Sequence, residues 1–265
     1  MEPKSGCSIT LPPNDCLKRP RSSGSQEDGL FKYPRNGCIL RRRFAMKGLF
    51  QNRTDAGQYL AGQLAQYAGR SDVLVLGLPR GGVTVAFEVA QRLKAPLDVL
   101  LVRKLGVPGE KELAMGAIAS GGVRVIHENL VRSFQIPQRI VDAVAAEEEV
   151  ELKRREKLYL NRDARYEIEG KTVILVDDGI ATGFTMRAAI EVLKKQKPAR
   201  LIVAVPFASP TVHEEIADQV DEMVVCHSMD NFSSVGMAYE NFSQVTDEEV
   251  IRLLEKAHEE GPTPR

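Results

Sequence analysis

Asp177 and Asp178 are adjacent carboxylates set between an apolar run and a string of small residues, VILVDDGIATGFT from Val173 to Thr185. Thr172 to Val176 is β-branched or Leu throughout, without alternation, the pattern of a strand buried on both faces of a parallel sheet. The two acids then stand at its carboxyl end, where open α/β sheets bind ligands. Gly179 and Gly183 free the backbone to curl. Met186, Ala189, Ile190 and Leu193 recur at helical spacing, so a helix is expected to begin near Gly183. Its first amides lack partners and its dipole favours an anion. Thr182 and Thr185 add hydroxyl donors. Acceptors for vicinal hydroxyls thus lie beside donors for a dianion, as a phosphorylated sugar requires. A strand, an aspartate cap and a helix with no ligand would use the same residues; the second glycine and both threonines favour the phosphate.

A second anion site is expected upstream. Asp72 to Leu76 (DVLVL) is another buried-strand run, followed by Gly77-Leu78-Pro79-Arg80-Gly81-Gly82. Val83, Val85, Ala86, Val89, Ala90 and Leu93 then form a helical apolar face. The order is strand, Gly-rich turn and helix, with an arginine in the turn. The turn lacks the P-loop pattern and the dinucleotide fingerprint. Alone, it is also explained as a tight βα turn with an exposed arginine.

The Val173–Thr185 string resembles the PRPP-binding motif of the type I phosphoribosyltransferases. The resemblance implies that Asp177 and Asp178 bind the ribose hydroxyls. It gives the 5′-phosphate to Gly179, Ile180, Ala181, Thr182, Gly183, Phe184 and Thr185. Pro79, Arg80, Gly81 and Gly82 then look like the family's pyrophosphate loop, with a cis Pro79–Arg80 bond. Ala181 stands where hypoxanthine–guanine enzymes of this family carry an aspartate, which argues against a 6-oxopurine acceptor. The resemblance is closest to a branch of bacterial members of unassigned acceptor. It rests further on Arg53-Thr54-Asp55-Ala56-Gly57, VRKLG, ELAMGA and Val235-Gly236-Met237-Ala238-Tyr239-Glu240-Asn241-Phe242, and runs from about Met46 to Leu254.

Val99 to Val102 is read as a third strand, and Arg103 to Leu113 as a loop, because two glycines and a proline interrupt five charges. It is either a solvated surface loop or, by the resemblance, the hood that closes over PRPP. Arg103 and Lys104 would then reach the pyrophosphate, with Lys111 as a further candidate. Ala114–Ala119 and Val123–Ile126 read as a β-ribbon split by Gly121-Gly122.

The rest alternates strand and helix, which implies an α/β fold with a doubly wound parallel sheet and right-handed crossovers. A small hood and a disordered N-terminal tail complete the expectation. A charged helix is expected from Pro137 to Leu160, with Glu151 paired to Arg155, as a cover or dimer helix. Leu201–Val205 and Met223–Val225 read as strands, Pro210–Gln219 as a helix, and Thr246 as the cap of the last helix. Cys226 reads as a small buried hydrophobe. His227 is a candidate acceptor contact; Asn231, Phe232 and Tyr239 are further candidates, though packing explains these three equally well.

With 265 residues, 43% of them hydrophobic, one substantial core is expected. Residues 1–45 hold five prolines, no apolar periodicity and Cys7, Cys16 and Cys38, three of the four cysteines. They read as a disordered or non-native extension without a secretory signal. Arg41-Arg42-Arg43 reads as a solvated charge run. Met46 is the expected natural start, and 46–265 the phosphoribosyltransferase domain. Lys+Arg and Asp+Glu both total 36, which argues against a nucleic-acid partner. No apolar run is long enough for a membrane span, and a cytoplasmic location is expected. No cysteine or histidine spacing suggests zinc.

The expected reaction moves the phosphoribosyl group of PRPP to a nitrogenous acceptor. Arg80, Arg103, Lys104, Asp177 and Asp178 are its catalytic candidates. Mg²⁺ is the expected cofactor, bound by Asp177 and Asp178 indirectly through PRPP and water. Family members are commonly dimers, and a homodimer is expected. The rival reading is a non-catalytic PRPP-sensing regulator. The absence of a helix-turn-helix segment and the presence of Arg103 and Lys104 speak against it. A two-carboxylate metal phosphatase lacks the further carboxylates it would need.

Overall fold

The computed structural model describes residues 49–160, 166–229 and 234–261. The expectations for residues 1–45, Met46, Asn231 and Phe232 lie outside the described residues. The described chain opens with helix α1 (Arg53–Gln63), strand β1 (Val73–Gly77), helix α2 (Gly81–Leu93) and strand β2 (Leu97–Val99). Strands β3 (Val102–Val107), β4 (Glu110–Ala119) and β5 (Val123–Ile126) follow. Helices α3 (Glu128–Ser133) and α4 (Gln138–Tyr159) lead to strand β6 (Thr172–Val176) and helix α5 (Phe184–Lys195). Strand β7 (Arg200–Ala208), helix α6 (Pro210–Ala217), strand β8 (Glu222–Ser228) and helix α7 (Asp247–Glu260) complete it.

The continuous apolar runs become wholly buried strands. Every residue of β1 and of β6 is buried. They join a parallel sheet of order β2-β1-β6-β7-β8. Alternate strand residues divide the core between its two faces. Val73, Val75, Ile174 and Val176 pack with Leu60 of α1, the apolar face of α2 and Leu254 of α7. Leu74, Leu76, Val173 and Leu175 pack with Met186 and Ile190 of α5 and Ile216 of α6. Helices on both faces make this the doubly wound sheet expected. The strand order reverses between β1 and β6, the switch point where such sheets bind ligands. Gly77 pairs with Val176, so both strands end level.

A three-stranded antiparallel sheet, β3-β4-β5, takes the place of the hood. Two expectations are corrected here. The strand expected from Val99 to Val102 is two strands: β2 pairs with β1 and ends at Val99, and β3 begins the small sheet at Val102. The loop expected from Arg103 to Leu113 is a hairpin. Pro108 and Gly109 form its turn, and slips of register beside Gly106 absorb the remaining glycine. Leu105 and Val107 are buried while Arg103 and Lys104 are half-buried, so the charges lie along a strand.

Helix α4 packs over β3 and β4, a cover role. Pro137 flanks its first turn instead of entering it. The Glu151–Arg155 pair forms as expected, at 2.8 Å. Thr246 caps α7 by accepting from the Glu249 amide. No helix among the described residues is long and apolar enough to cross a membrane.

Candidate functional site

Level strand ends at the switch point put two turns face to face. The turn after β1 carries Pro79, Arg80, Gly81 and Gly82, and the Pro79–Arg80 bond is cis, as expected. The turn after β6 carries Asp177 and Asp178. They approach so closely that a Cβ on Gly81 would lie 1.9 Å from Asp178 Oδ2, and one on Gly82 2.8 Å from Asp177 Oδ1. Glycine at Gly81 is therefore a steric requirement.

Gly179 to Gly183 curl from the acid pair into α5. The Ile180 amide donates to the Phe207 carbonyl at 3.0 Å, anchoring the loop to β7. Gly183 has φ 73°, a left-handed conformation costly for other residues. No side chain caps the amino end of α5 or of α2. Two sets of open helix amides therefore flank the acids, with positive dipole ends toward them. Ala181 and Phe184 are half-buried, while Thr182 and Thr185 are exposed at the loop rim.

Burial pushes the Asp177 carboxyl well above the usual carboxylate range, and the charge of Asp178 adds to this. Burial also raises Asp178, against the opposing pull of Arg53. The Asp178 amide donates to Asp177 Oδ1 at 2.9 Å. Arg53 Nε donates to Asp178 Oδ2 at 2.7 Å. The RTDAG opening pointed to Arg53, but no local pattern joined it to the acids.

Arg80 lies 3.7 Å from Asp247 Oδ1 at the start of α7. With Arg53, Gly81, Phe242, Ser243, Gln244 and Val245 it lines an open cleft of about 300 Å³. Both arginines that line this cleft are paired with carboxylates, Arg53 with Asp178 and Arg80 with Asp247. Arg103 donates to Glu148 Oε2 of α4 at 2.7 Å. Arg103 also borders a small void with Pro79 and Thr185, which places the start of β3 beside both turns. Lys104 Nζ lies 4.9 Å from the Phe184 ring centroid, at the amino end of α5. The structure thus gathers Arg103 and Lys104 near the two turns, with Arg103 paired to a neighbour. The Lys111 side chain lies outside what the structure describes.

His227 belongs to a ring cluster, stacked on Tyr59 at 5.5 Å and edge-on to Phe50 at 5.4 Å. Burial lowers its affinity for a proton. Cys226 is a partly buried thiol pushed up to about 12 by burial, consistent with its packing role. Tyr239 is buried and donates its hydroxyl to the Asp178 carbonyl at 2.5 Å. Burial holds its proton in place.

The model of the phosphoribosyl transferase domain matches residues 105–240. A Mycobacterium tuberculosis protein provisionally named a phosphoribosyl transferase is 45% identical over 210 residues, 79% of this chain and 47% of that protein. The chain thus spans about half the length of this relative, at 47%. The bifunctional protein PyrR of Roseiflexus sp. is 32% identical over 124 residues, 46% of this chain and 62% of that protein. A crystal structure of a Thermus thermophilus protein superposes with a TM-score of 0.72 at 42% identity, covering 78% of this chain and 98% of that one.

Proposed function

Because the chain belongs to the phosphoribosyl transferase family, we propose that it moves the 5-phosphoribosyl group from PRPP to a nitrogenous acceptor and releases pyrophosphate. One observation carries the reading. The acid pair and the Pro79–Gly82 turn meet at the switch point, between two helix ends that no side chain caps.

In this reading Asp177 and Asp178 accept from the ribose hydroxyls and hold the sugar ring. The Gly179–Thr185 loop and the first amides of α5 bind the 5′-phosphate. Pro79, Arg80, Gly81 and Gly82 receive the pyrophosphate. As the C1–O bond ionises, charge builds on the leaving group, and Arg80 with Arg103 or Lys104 stabilises it. The acceptor nitrogen then forms the new bond to C1. The acids contribute by positioning, which can account for a large part of a barrier.

The described residues contain no cluster of three metal-ligating side chains. Two carboxylates fit a Mg²⁺ carried by the substrate, with Asp177 and Asp178 acting through PRPP and water. Bound there, it would neutralise pyrophosphate charge. A homodimer belongs to the same reading; Val150 and Leu158 expose apolar surface on α4, and sedimentation measures the state.

The test is pyrophosphate release on mixing the protein with PRPP, magnesium and a panel of nucleobases and small amines. Release that depends on one acceptor class is expected. A PRPP-binding regulator without turnover is the second reading. The Arg103–Glu148 ion pair favours it, because a paired Arg103 gives less charge to a leaving group. PRPP binding with no release under any acceptor would select it.

A further inference from the structure

The loop that curls from the acid pair into α5 contains one peptide free to face either way. Gly183 has φ 73°, and turning the Thr182–Gly183 peptide over carries that angle to negative values, which glycine adopts about as readily. The peptide is trans, so its carbonyl and its N–H point in opposite directions. In one orientation it offers a donor to an anion in the curl. In the other it offers a carbonyl oxygen, which repels the anion.

The side chain of Arg187, near the amino end of α5, makes three contacts that bear on this choice. Its Nη2 donates to the Thr182 carbonyl at 2.7 Å. Its Nη1 donates to Glu215 Oε2 of α6 at 2.7 Å. Its guanidinium carbon lies 5.0 Å from the Phe184 ring centroid. Helix α6 stands against the loop here, since a Cβ on Gly183 would lie 3.0 Å from Val212 Cγ1 and 3.0 Å from Arg187 Nη1. The helix dipole gives no reason for a cation at this end of α5. Nor does stability, because the Arg187–Glu215 pair is 26% and 52% exposed and such pairs contribute little. Its use is geometric. A planar guanidinium can hold a carbonyl and a carboxylate through separate nitrogens while it lies over a ring.

We propose that Arg187 is a positioning residue of the phosphate loop: it draws the Thr182 carbonyl toward α6 and so presents the Gly183 N–H to the 5′-phosphate of the sugar. The inference rests on the phosphoribosyltransferase reading of this loop and deepens it. A donor aimed before the ligand arrives costs no reorganisation on binding. Glu215 and Phe184 hold the arginine, and the arginine holds the peptide.

The experiment is calorimetric titration of PRPP with magnesium, and separately of ribose 5-phosphate, into wild type, Arg187→Met and Arg187→Lys. Melting curves accompany it, with amide spectra of protein isotopically labelled at glycine. Arg187→Met should bind both ligands about tenfold more weakly, the order of one hydrogen bond to a charged group. The wild-type Gly183 amide proton should move downfield when ribose 5-phosphate binds, and Arg187→Met should lose that shift. Arg187→Lys keeps one donor and should recover part of both the affinity and the shift. A loss confined to PRPP would place Arg187 at the pyrophosphate and overturn the inference. A loss of affinity with the Gly183 shift intact also overturns it, because an arginine that touches the phosphate itself, or only braces the helix, would behave so. Unchanged affinity, a wild-type Gly183 amide that ignores bound ligand, or no recovery in Arg187→Lys has the same result. If Arg187→Met does not fold, Arg187→Lys decides alone: weaker binding of both ligands with a diminished Gly183 shift supports the inference, and wild-type behaviour overturns it. Wild-type protein that binds neither ligand defeats the phosphoribosyltransferase reading itself, and this inference with it.

Discussion

At the amino end of the parallel sheet, Asp72 accepts from Arg70 at 3.0 and 2.7 Å and from the Thr172 hydroxyl at 2.8 Å. Arg70 is the main cause that holds its carboxyl down to about 2. Glu222, at the same end of β8, accepts from Tyr67 at 2.5 Å and Arg200 at 2.8 Å. At the carboxyl end, Asp177 is buried beside a second acid, and its carboxyl is pushed well above the usual range. At one edge the acids are paired with neighbours; at the other Asp178 is paired with Arg53 and Asp177 is buried beside it. A buried carboxylate without a cation of its own is costly. Such perturbed groups mark functional sites more often than structural ones, and in the proposed reading the ligand supplies what the fold withholds.

The largest effect should come from the closest approach. Gly81→Ala would place a Cβ 1.9 Å from Asp178 Oδ2 and 2.8 Å from Arg53 Nε, so Asp178 must shift. PRPP affinity should fall about a hundredfold or more, since misplacement on the order of 1 Å carries such a cost. Calorimetry beside a melting curve measures it, and unchanged affinity would remove the turn from the site.

Asp177→Asn combined with Asp178→Asn comes next. Losing charge-assisted contacts should weaken PRPP binding by roughly 1.5–3 kcal/mol, about ten- to a hundredfold. The folded protein should survive, because Asn preserves shape and removes a buried charge. Affinity equal to wild type would refute the assignment.

Melting against pH sharpens the contrast between the edges. The folded Asp177 carboxyl lies above its ordinary value of 3.8, so its stabilising contribution is present below that value and is lost as pH rises through the raised one. Asp177→Asn should therefore melt with wild type in acid and above it at neutral pH. Asp72 is depressed, so its contribution is present above 3.8 and fades as pH falls toward about 2. Asp72→Asn should melt below wild type at neutral pH, by less than about 1 kcal/mol for so exposed a pair, and converge in acid. Gaps that open in the same direction would erase the distinction.

The smallest effect belongs to the small sheet. Glu148→Gln removes the Arg103 partner, whose pair is 30% and 27% exposed. Stability should change by less than about 1 kcal/mol. Pyrophosphate release should rise if Arg103 serves the leaving group, and an unchanged rate would exclude the ion pair as a brake.

The elements around the acids were legible because their patterns are short. Thr172 to Val176 needed only an unbroken apolar run, and α5 only the period of Met186, Ala189, Ile190 and Leu193. The Thr246 cap was readable from one turn of chain. The hairpin of β3 and β4 was not. Its charges and its Gly106, Pro108 and Gly109 imitate a loop, and only packing against α4 and α5 makes strand of it. Asn231 and Phe232 lie outside the described residues, and Tyr239 belongs to the core.

The amino-acid sequence by itself determined the doubled acid at the end of a buried strand, the curled loop into α5, and the PRGG turn. Each depends on neighbours a few residues apart, whose side chains and backbone preferences act over one turn or one strand. Tertiary structure decided that β1 and β6 end level and adjacent, that Arg103 pairs with α4, and that Arg53 reaches Asp178 across 125 residues of chain. Such contacts depend on strand order and register, which are set by packing the whole core, and no short window of residues encodes them.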